Sequence, residues 1–310
     1  MTQVSESVDV SDPFGLTGRV AVVTGGGAGI GQGIALGLAR AGADVVVGDV
    51  DLDRAAVTAR QVEGLGRRGA AVAADVTDTD QVRALIGEAV ERFGRLDVLV
   101  NNAGGTARRP FLDQSERSWR RHIDLNLVSV LAGVSAAAPV MIEQGRDGRG
   151  RGGAILNVVS IEAVRAAPNY AVYAACKAAV VNFTRTMALE LSEHGIRVNA
   201  LAPDHTDTPG IRGIVRGPVP DPLPPRPPEA AEADRRYIPL GRVGDLGDCA
   251  AAAVFLCSPR LAGYVTGVNL HVDGGTWASG GWTRGDEPGA WNLWPHSGPA
   301  VRAAPDRDTR

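Results

Sequence analysis

The apolar residues of this chain fall into short runs rich in Val, Ile, Leu and Ala, separated by longer stretches with apolar positions at helical spacing. Apolar runs of about four to eight residues predict buried strands, and the longer periodic stretches predict helices. The predicted strands are 20–24, 44–48, 70–74, 96–101, 154–159, 196–201 and 269–272. The clearest predicted helices are 31–41, 78–93, 115–144, 170–194 and 246–257.

Strands that alternate with helices in this way predict βαβ units with right-handed crossovers and a parallel sheet. No internal repeat occurs, and no second alternation restarts along the chain. The sequence therefore predicts one doubly wound α/β domain, with a polar leader at 1–15 before it and an extension at 277–310 after it.

Composition agrees with a buried parallel sheet, since aromatics make up only 5% of the chain and Gly is frequent at 40 residues. A formal net charge of -3 gives no basic footprint, so we expect no nucleic-acid partner. The N-terminal stretch lacks the basic and apolar regions of a signal peptide, and no apolar run approaches the ~20 residues of a membrane span. A cytoplasmic protein without a membrane partner is expected.

Three cysteines, Cys176, Cys249 and Cys257, lie in Ala-rich stretches without metal-ligand spacing, which predicts buried reduced thiols and no metal site.

Two segments depart from the alternating pattern of strands and helices. Segment 210–236 has seven prolines between 218 and 228 and is predicted to be neither helix nor central strand. The tail after 276 holds four of the five tryptophans, so most of it is expected to pack on another surface.

The glycine-rich stretch TGGGAGIG at 24–31 follows the first strand and leads into a helix. Glycines at this position let the backbone approach a pyrophosphate that sits on the positive end of the helix. The second strand ends in Asp49, whose carboxylate can accept both ribose hydroxyls of an adenosine and would repel a 2′-phosphate. Neither Ala28 nor Val50 supplies a base for that phosphate. The sequence therefore predicts NAD rather than NADP.

With TGGGAGIG, NNAG at 101–104, Ser160 and YAACK at 173–177 in this order, the chain resembles the short-chain dehydrogenase/reductase family over roughly 16–275. The resemblance implies a Rossmann-type sheet in one catalytic domain, 16–276. It also implies a nicotinamide cofactor, reversible oxidation of an alcohol to a carbonyl and a homotetramer. The implied catalytic residues are Asn126, Ser160, Tyr173 and Lys177.

The same resemblance implies the cofactor contacts. Asp75 and Val76 match the adenine contacts, 102–104 the turn beside the adenosine ribose, and Lys177 the lysine that binds the nicotinamide ribose. The full predicted set is Gly25, Gly29, Ile30, Gly31, Asp49, Asp75, Val76, Asn102, Ala103, Gly104, Tyr173, Lys177, Pro203, Thr206 and Thr208.

Helical spacing favours Tyr173 over Tyr170 as the reactive tyrosine. Residues four apart lie on one helix face about 6 Å apart along the axis, whereas Tyr170 and Lys177 are separated by about 10.5 Å. An ammonium group and a cationic nicotinamide ring both favour phenolate and are expected to lower the pKa of Tyr173. Ser160 would then hold the substrate oxygen. The resemblance also implies that Asn126 interrupts the helix in which it lies and holds a water on the path of the proton.

Segment 205–238 takes the position of the family's substrate lid, and its prolines suggest a cover for a hydrophobic secondary alcohol of the lipid, terpenoid or steroid type. Glu162, Tyr170 and His205 are the predicted substrate contacts, alongside Ser160. Asp204 stands where the family usually has Gly. Its carboxylate either turns to solvent, or favours the oxidised cofactor, or adjusts the substrate pocket.

The function predicted from the sequence is NAD-dependent interconversion of a secondary alcohol and a ketone, acting on CH–OH groups. Within the same class, the alternative is a reductase of 3-oxoacyl thioesters carried by acyl carrier protein or coenzyme A. From another class, the alternative is a catalytically silent protein that senses nucleotide, although such a protein would not need all four catalytic residues.

Overall fold

Seven of the apolar runs form the central sheet. The computed structural model describes residues 12–106, 108–146, 152–214, 217–287 and 289–293. The strands of the sheet are β1 (Val20–Thr24), β2 (Asp44–Asp49), β3 (Gly69–Ala73), β4 (Val98–Asn101), β5 (Gly153–Val158), β6 (Ile196–Pro203) and β7 (Asn269–Val272). They are all parallel, in the order β3-β2-β1-β4-β5-β6-β7. This is the doubly wound, Rossmann-type single domain that the sequence predicts.

Helices fill the connections between these strands. They are α1 (Gly29–Arg40), α2 (Leu52–Gly64), α3 (Thr79–Phe93), α4 (Glu116–Ile123), α5 (Ser129–Arg146), α6 (Ala171–Glu190), α7 (Pro228–Tyr237), α8 (Leu246–Cys257) and α9 (Thr276–Ser279). Two short strands, β8 (Thr283–Arg284) and β9 (Trp291–Asn292), form an antiparallel hairpin in the tail.

Both faces of the sheet are buried because successive side chains of a strand point to opposite sides. Along β1, Ala21 and Val23 belong to a core layer shared with α1, α2 and α8. Val20 and Val22 belong to a second layer shared with α3, α5 and the end of α6. A sheet covered on both faces exposes its loops at the carboxyl ends of the strands, where ligands bind in open α/β folds.

The predicted helix 115–144 is interrupted in the structure. A π-helical turn at Asp124–Val128 separates α4 from α5. The side-chain amide of Asn126 donates to the carbonyl oxygen of His122 at 3.0 Å, taking the acceptor that an α-helix would use for the backbone N–H of residue 126. The side chain therefore competes with the helical ladder at this position.

Taken together, α4, the π-helical turn and α5 span Glu116–Arg146, a stretch long and apolar enough, by length and composition alone, to cross a membrane. The same test is met by the core helices of globular domains. In this structure Val134 and Met141 are buried in the core layer against α3 and the sheet, as a core helix requires.

The prediction for the Pro-rich segment is wrong at its C-terminal end, because α7 begins at Pro228. The error has a simple cause: proline is tolerated at the first helical position, where its missing N–H would have no intrahelical partner. The residues that follow, EAAEADRRY, are mostly good helix formers. Residues 217–223 lie elsewhere, beside α1, α2 and α8.

The tail packs only in part. The hairpin lies next to α7, where the Arg284 side chain donates through Nε to the carbonyl of Pro239 at 3.0 Å and lies over the ring of Trp291. Trp277 and Trp282 remain 46% and 37% exposed. The predictions for the last tryptophan, for 294–310 and for 1–11 fall outside the described residues.

Candidate active site

The loop between β1 and α1 has a backbone that requires glycine. Gly25 and Gly29 have φ angles of 61° and 58°, which other residues adopt at a cost. A Cβ at Gly31 would lie 2.2 Å from the carbonyl oxygen of Gly25. The first turn of α1 therefore packs directly on the loop, and its backbone N–H groups are available at the groove, as anion binding at a helix N-terminus needs.

Asp49 ends β2 with its carboxylate already oriented. Its Oδ2 accepts the backbone N–H of Gly27 at 2.9 Å, and its Oδ1 accepts the N–H of Asp51 at 3.0 Å. Each carboxylate oxygen has a second lone pair, so both can still accept a hydroxyl of a ribose. The two acceptor oxygens at this position fit the hydroxyls of an adenosine ribose.

The NNAG turn ties β4 to β1. The Asn102 side-chain amide donates to the carbonyl oxygens of Thr24 and Gly25 at 2.9 and 3.0 Å, and its backbone N–H donates to Oγ1 of Thr24 at 3.0 Å. This network holds the turn against the glycine loop, where a dinucleotide would pass between them.

A cavity of about 950 Å³ runs along the carboxyl ends of the strands, within the size range of ligand sites. Twelve of the predicted cofactor residues line it: Gly25, Gly29, Ile30, Asp49, Asp75, Val76, Asn102, Ala103, Gly104, Tyr173, Lys177 and Thr208. Gly31, Pro203 and Thr206 are not in its wall. The hydroxyl of Thr206 instead donates to the carbonyl of Asp204 at 3.1 Å and lies 3.8 Å from the Cys249 sulfur.

Tyr173 lies on the first turn of α6, near enough to Ser160 for the serine hydroxyl to lower the pKa of the phenol. Ser160 follows β5 and caps the short 3₁₀ turn Ile161–Ala163. Burial, with a smaller contribution from the charge of Glu162, raises the pKa of Tyr173 to about 12, although Ser160 acts to lower it. The expected lowering of this pKa by Lys177 and a nicotinamide ring together therefore stays a prediction for the cofactor-bound protein.

Lys177 is buried, 3% exposed, with its Nζ 5.6 Å from the centre of the Tyr173 ring. The ammonium donates to the carbonyl oxygen of Val158 at 2.9 Å. Burial lowers the pKa of Lys177 to about 8. A cofactor ribose would add acceptors for the remaining hydrogens of this ammonium, which has three.

Asn126 is fully buried beside the same groove. Its side chain accepts the N–H of Gly105 at 3.0 Å and donates to the Gly105 carbonyl at 2.9 Å. A Cβ on Gly104 would lie 2.9 Å from Asn126 Oδ1 and 3.2 Å from Lys177 Nζ. Asn126, Lys177 and the NNAG turn are therefore brought together as predicted, and Gly104 leaves the room between them.

The three substrate residues predicted alongside Ser160 are placed differently from one another. Glu162 accepts the Ser160 hydroxyl directly. Tyr170 immediately precedes α6 and lies near enough to raise the pKa of Tyr173. His205 has a half-exposed side chain, with its ring against Tyr237 at 5.9 Å and Nδ1 3.7 Å from Asp234. None of the three is in the wall of the large cavity.

A charged cluster at this end of the site was missed by the sequence reasoning. The Arg165 Nη2 donates to Glu162 at 3.0 Å and to both carboxylate oxygens of Asp204 at 3.1 and 3.2 Å, and its Nη1 donates to the Tyr237 hydroxyl at 2.8 Å. Burial lowers the pKa of Arg165, but Glu162 and Asp204 outweigh this and raise it overall.

The idea that Asp204 turns to solvent is wrong, because its side chain is 5% exposed and accepts the Thr276 hydroxyl as well as Arg165. A buried carboxylate needs such partners. The sequence signal was present: an arginine five residues after the predicted serine, and an acid where the resemblance expects glycine. Nothing local, however, joins residues 39 apart.

Arg54 was also missed. It lies in the wall of the large cavity on the first turn of α2, and a Cβ on Gly27 would lie 2.8 Å from its Cβ and 2.9 Å from Asp49 Oδ2. Its Nε donates to the carbonyl of Gly217 at 2.7 Å, and its buried Nη2 has no hydrogen-bond partner in the described part of the chain. A base thus lies near the adenosine end, although neither Ala28 nor Val50 supplies one.

Among the described residues, no cluster of His, Cys, Asp or Glu could hold a metal ion. Cys176, Cys249 and Cys257 are buried free thiols, as predicted. Burial raises the pKa of Cys249 to about 11 and that of Cys257 to about 12, so neither is a reactive thiolate at neutral pH.

Comparison with known proteins identifies a matching family model and several similar oxidoreductases. Residues 25–276 match a family model described as enoyl-(acyl carrier protein) reductase. The 7α-hydroxysteroid dehydrogenase of Escherichia coli K12 is 37% identical over 265 residues, which are 86% of this chain and 96% of that protein. The 3-oxoacyl-[acyl-carrier-protein] reductase of Thermotoga maritima is 36% identical over 260 residues, covering 84% and 98%.

A solved structure of 7α-hydroxysteroid dehydrogenase, in complex with NADH and 7-oxo glycochenodeoxycholic acid, superimposes with a TM-score of 0.76 at 37% identity. The match covers 86% of this chain and 96% of the other. The chain belongs to the short-chain dehydrogenase/reductase family, and it is an oxidoreductase that interconverts alcohols and ketones with a nucleotide cofactor.

Proposed function

We propose that the protein is an NAD-dependent dehydrogenase of hydrophobic secondary alcohols, with steroid-type alcohols as the first candidates. The observation that carries the proposal is the convergence of Ser160, Tyr173 and Lys177 at one end of a groove whose other end holds Asp49. The steroid assignment is supported by the 7α-hydroxysteroid dehydrogenase relatives.

The catalytic residues divide the work of proton transfer. When bound, the nicotinamide ring supplies the hydride acceptor. Tyr173 takes the hydroxyl proton of the alcohol, for which it must first become phenolate. Lys177 favours that state as a cation 5.6 Å from the ring centre. Ser160, which lies near Tyr173, orients the reacting oxygen, and Asn126 supports the path by which the proton leaves.

The preference for NAD rests on Asp49, because a 2′-phosphate would face its carboxylate. Arg54 also lies beside Gly27 and could offset part of that repulsion, although its Nε donates to the carbonyl of Gly217. Asp49 is the nearer group to the ribose position at the end of β2 and decides the preference. Thr206 and Pro203 are not needed for this proposal; Thr208 is, through its place in the groove wall.

The substrate lid, proposed at about 205–238, consists of two parts with different surroundings. The Pro-rich residues 217–223 cover the α1–α2 side near the adenosine end. The helix α7 reaches the substrate end through Tyr237, which contacts both Arg165 and His205. We place the substrate between α7 and Ser160, near Glu162 and Tyr170. A cytoplasmic homotetramer remains our expectation for the assembled enzyme.

The test is a panel of steroid, terpenoid, sugar and 3-hydroxyacyl-thioester alcohols, followed by NADH or NADPH formation with NAD⁺ and NADP⁺ in parallel. The proposal predicts turnover of hydrophobic secondary alcohols with NAD⁺. Turnover of 3-hydroxyacyl thioesters alone would favour the alternative, a 3-oxoacyl-thioester reductase, which the Thermotoga relative supports.

A further inference from the structure

The Ser160 hydroxyl has one hydrogen to donate, and the structure shows where it goes. Its oxygen lies in a hydrogen bond with Glu162 Oε2 and also accepts the backbone N–H of Glu162 at 3.3 Å. An ionised carboxylate only accepts hydrogen bonds, so the hydrogen between the two side chains belongs to Ser160.

Glu162 cannot easily leave this position. Its other oxygen, Oε1, accepts from Arg165 at 3.0 Å, and Arg165 is itself held by the buried carboxylate of Asp204 and by the Tyr237 hydroxyl. Both side chains of the Glu162–Arg165 pair are less than a quarter exposed. The carboxylate is therefore positioned against the serine before any substrate arrives.

We propose that Glu162 is a positioning residue that holds the Ser160 hydroxyl as a hydrogen-bond acceptor towards the reacting oxygen, so that the site binds the alcohol in preference to the ketone. This inference rests on the proposed function and adds to it the substrate form that the site selects. In the enzyme–NADH complex, where Tyr173 takes no proton, an alcohol can donate its own hydrogen to the Ser160 oxygen. A ketone oxygen only accepts, so a hydrogen bond between the ketone and Ser160 requires the serine hydrogen to leave the carboxylate.

The cost to the ketone is one charge-assisted hydrogen bond, which is stronger than a bond between neutral groups. A loss of this kind corresponds to about a tenfold change in a dissociation constant. In Glu162→Gln the neutral amide can donate to Ser160 through its NH₂ group, which frees the serine hydrogen for the ketone. The preference for alcohol should therefore fall.

Removing Arg165 should affect the Ser160–Glu162 hydrogen bond in the opposite way to Glu162→Gln. In Arg165→Gln the Glu162 carboxylate keeps its charge but loses its cation, so it attracts the serine hydrogen more strongly. The preference for alcohol should therefore rise. Opposite signs from two neighbouring substitutions cannot come from a general loosening of the site, which would move both variants the same way.

The experiment uses cyclohexanol and cyclohexanone, which differ only at the reacting oxygen. Dissociation constants are measured for cyclohexanol in the enzyme–NADH complex and for cyclohexanone in the enzyme–NAD⁺ complex, where neither can react. The wild type is compared with Glu162→Gln, with Arg165→Gln and with Glu63→Gln, a charge control at an exposed residue of α2.

The expected result is a shift of the alcohol-to-ketone affinity ratio by about tenfold towards the ketone in Glu162→Gln, and a shift towards the alcohol in Arg165→Gln. The control should leave the ratio unchanged. Shifts of the same sign in both variants, or an unchanged ratio in variants that still bind NADH, would overturn the inference alone. If the wild-type complexes bound neither probe, the proposed function would fail together with it.

Discussion

The cofactor half and the substrate half of the site are built in different ways. The cofactor half consists mainly of backbone at the ends of β1, β2 and β4, where Gly25, Asp49 and Asn102 each act within their own loop or on the adjacent strand. The substrate half consists of side chains from separate segments: Glu162 and Arg165 after β5, Asp204 after β6, and Tyr237 on α7.

This difference explains why the residues of the cofactor half can be predicted from the sequence and the contacts of the substrate half cannot. A glycine loop needs glycine for reasons that are local, such as a positive φ or a close approach of two backbones. The ion pairs and hydrogen bonds of the charged cluster around Arg165 join residues far apart in sequence, so they depend on how the chain folds. Tyr173 lies between the two halves, in the groove wall and near Ser160.

The largest effect is expected from Tyr173→Phe, which removes the proton acceptor and leaves the cofactor half intact. Turnover should fall by about 10²–10⁴, the range for loss of a general acid–base group. NADH affinity, measured by fluorescence titration, should stay within about twofold, because the groove wall keeps its shape. Tyr170→Phe is the matched control on the preceding turn and should retain most of the activity. Equal losses in both variants would contradict the choice of Tyr173.

The next prediction concerns pH. Because burial raises the pKa of Tyr173 to about 12, the protein without cofactor should keep this tyrosine neutral at any physiological pH. A cationic nicotinamide favours phenolate, so saturating NAD⁺ should bring the pKa below about 10, and the rate of alcohol oxidation should rise as pH increases through it.

An ultraviolet titration of tyrosinate, with and without NAD⁺, measures this shift directly. The transition that moves should be missing in Tyr173→Phe. Lys177, with a pKa lowered to about 8 by burial, is a cation below that pH in the absence of cofactor. If NAD⁺ left every tyrosine transition unchanged, the cofactor would not be the source of the tyrosine's reactivity.

The features that could be predicted from the sequence lie mainly in the cofactor half of the site and in the catalytic set next to it. The parallel sheet, the glycine loop, Asp49 and the Ser160–Tyr173–Lys177 set all depend on local patterns and known spacing, and Gly25, Asp49, Tyr173 and Lys177 line one groove in the structure. Periodicity alone predicts one helix over 115–144, because it does not reveal that the Asn126 side chain takes a helical acceptor; the interruption at Asn126 follows only from the family resemblance. The start of α7 was hidden by prolines that are harmful inside a helix but acceptable at its beginning.

The cofactor half can be tested by Asp49→Asn. Loss of the charge should weaken NAD⁺ binding by about tenfold, the size of one charge-assisted hydrogen bond, and should strengthen NADP⁺ binding because Arg54 is then the nearest charge. The ratio of kcat/KM values for the two cofactors measures the change. Asp53→Asn, which neutralises an exposed acid on α2 beside Arg54, is the control. An unchanged ratio would mean that Asp49 does not choose the cofactor.

The smallest effect on cofactor binding is expected from Asp204→Gly, which restores the residue that the resemblance leads one to expect. Asp204 carries a negative charge near the nicotinamide end, but Arg165 and Thr276 already satisfy it, and its side chain is 5% exposed. The affinities for NAD⁺ and NADH should therefore both stay within about twofold of the wild type, since a paired charge has little field beyond its partner.

Stability should change instead, because Asp204→Gly leaves Arg165 with Glu162 and Tyr237 only. Loss of hydrogen bonds to a charged group predicts a decrease of about 1.5–3 kcal/mol in the free energy of unfolding, measured by urea denaturation. Asp204→Asn keeps the volume and some of the bonds, and should fall between the two. A selective loss of NAD⁺ affinity with unchanged stability would assign Asp204 to the cofactor half, and the boundary between the two halves would have to be drawn on the other side of this residue.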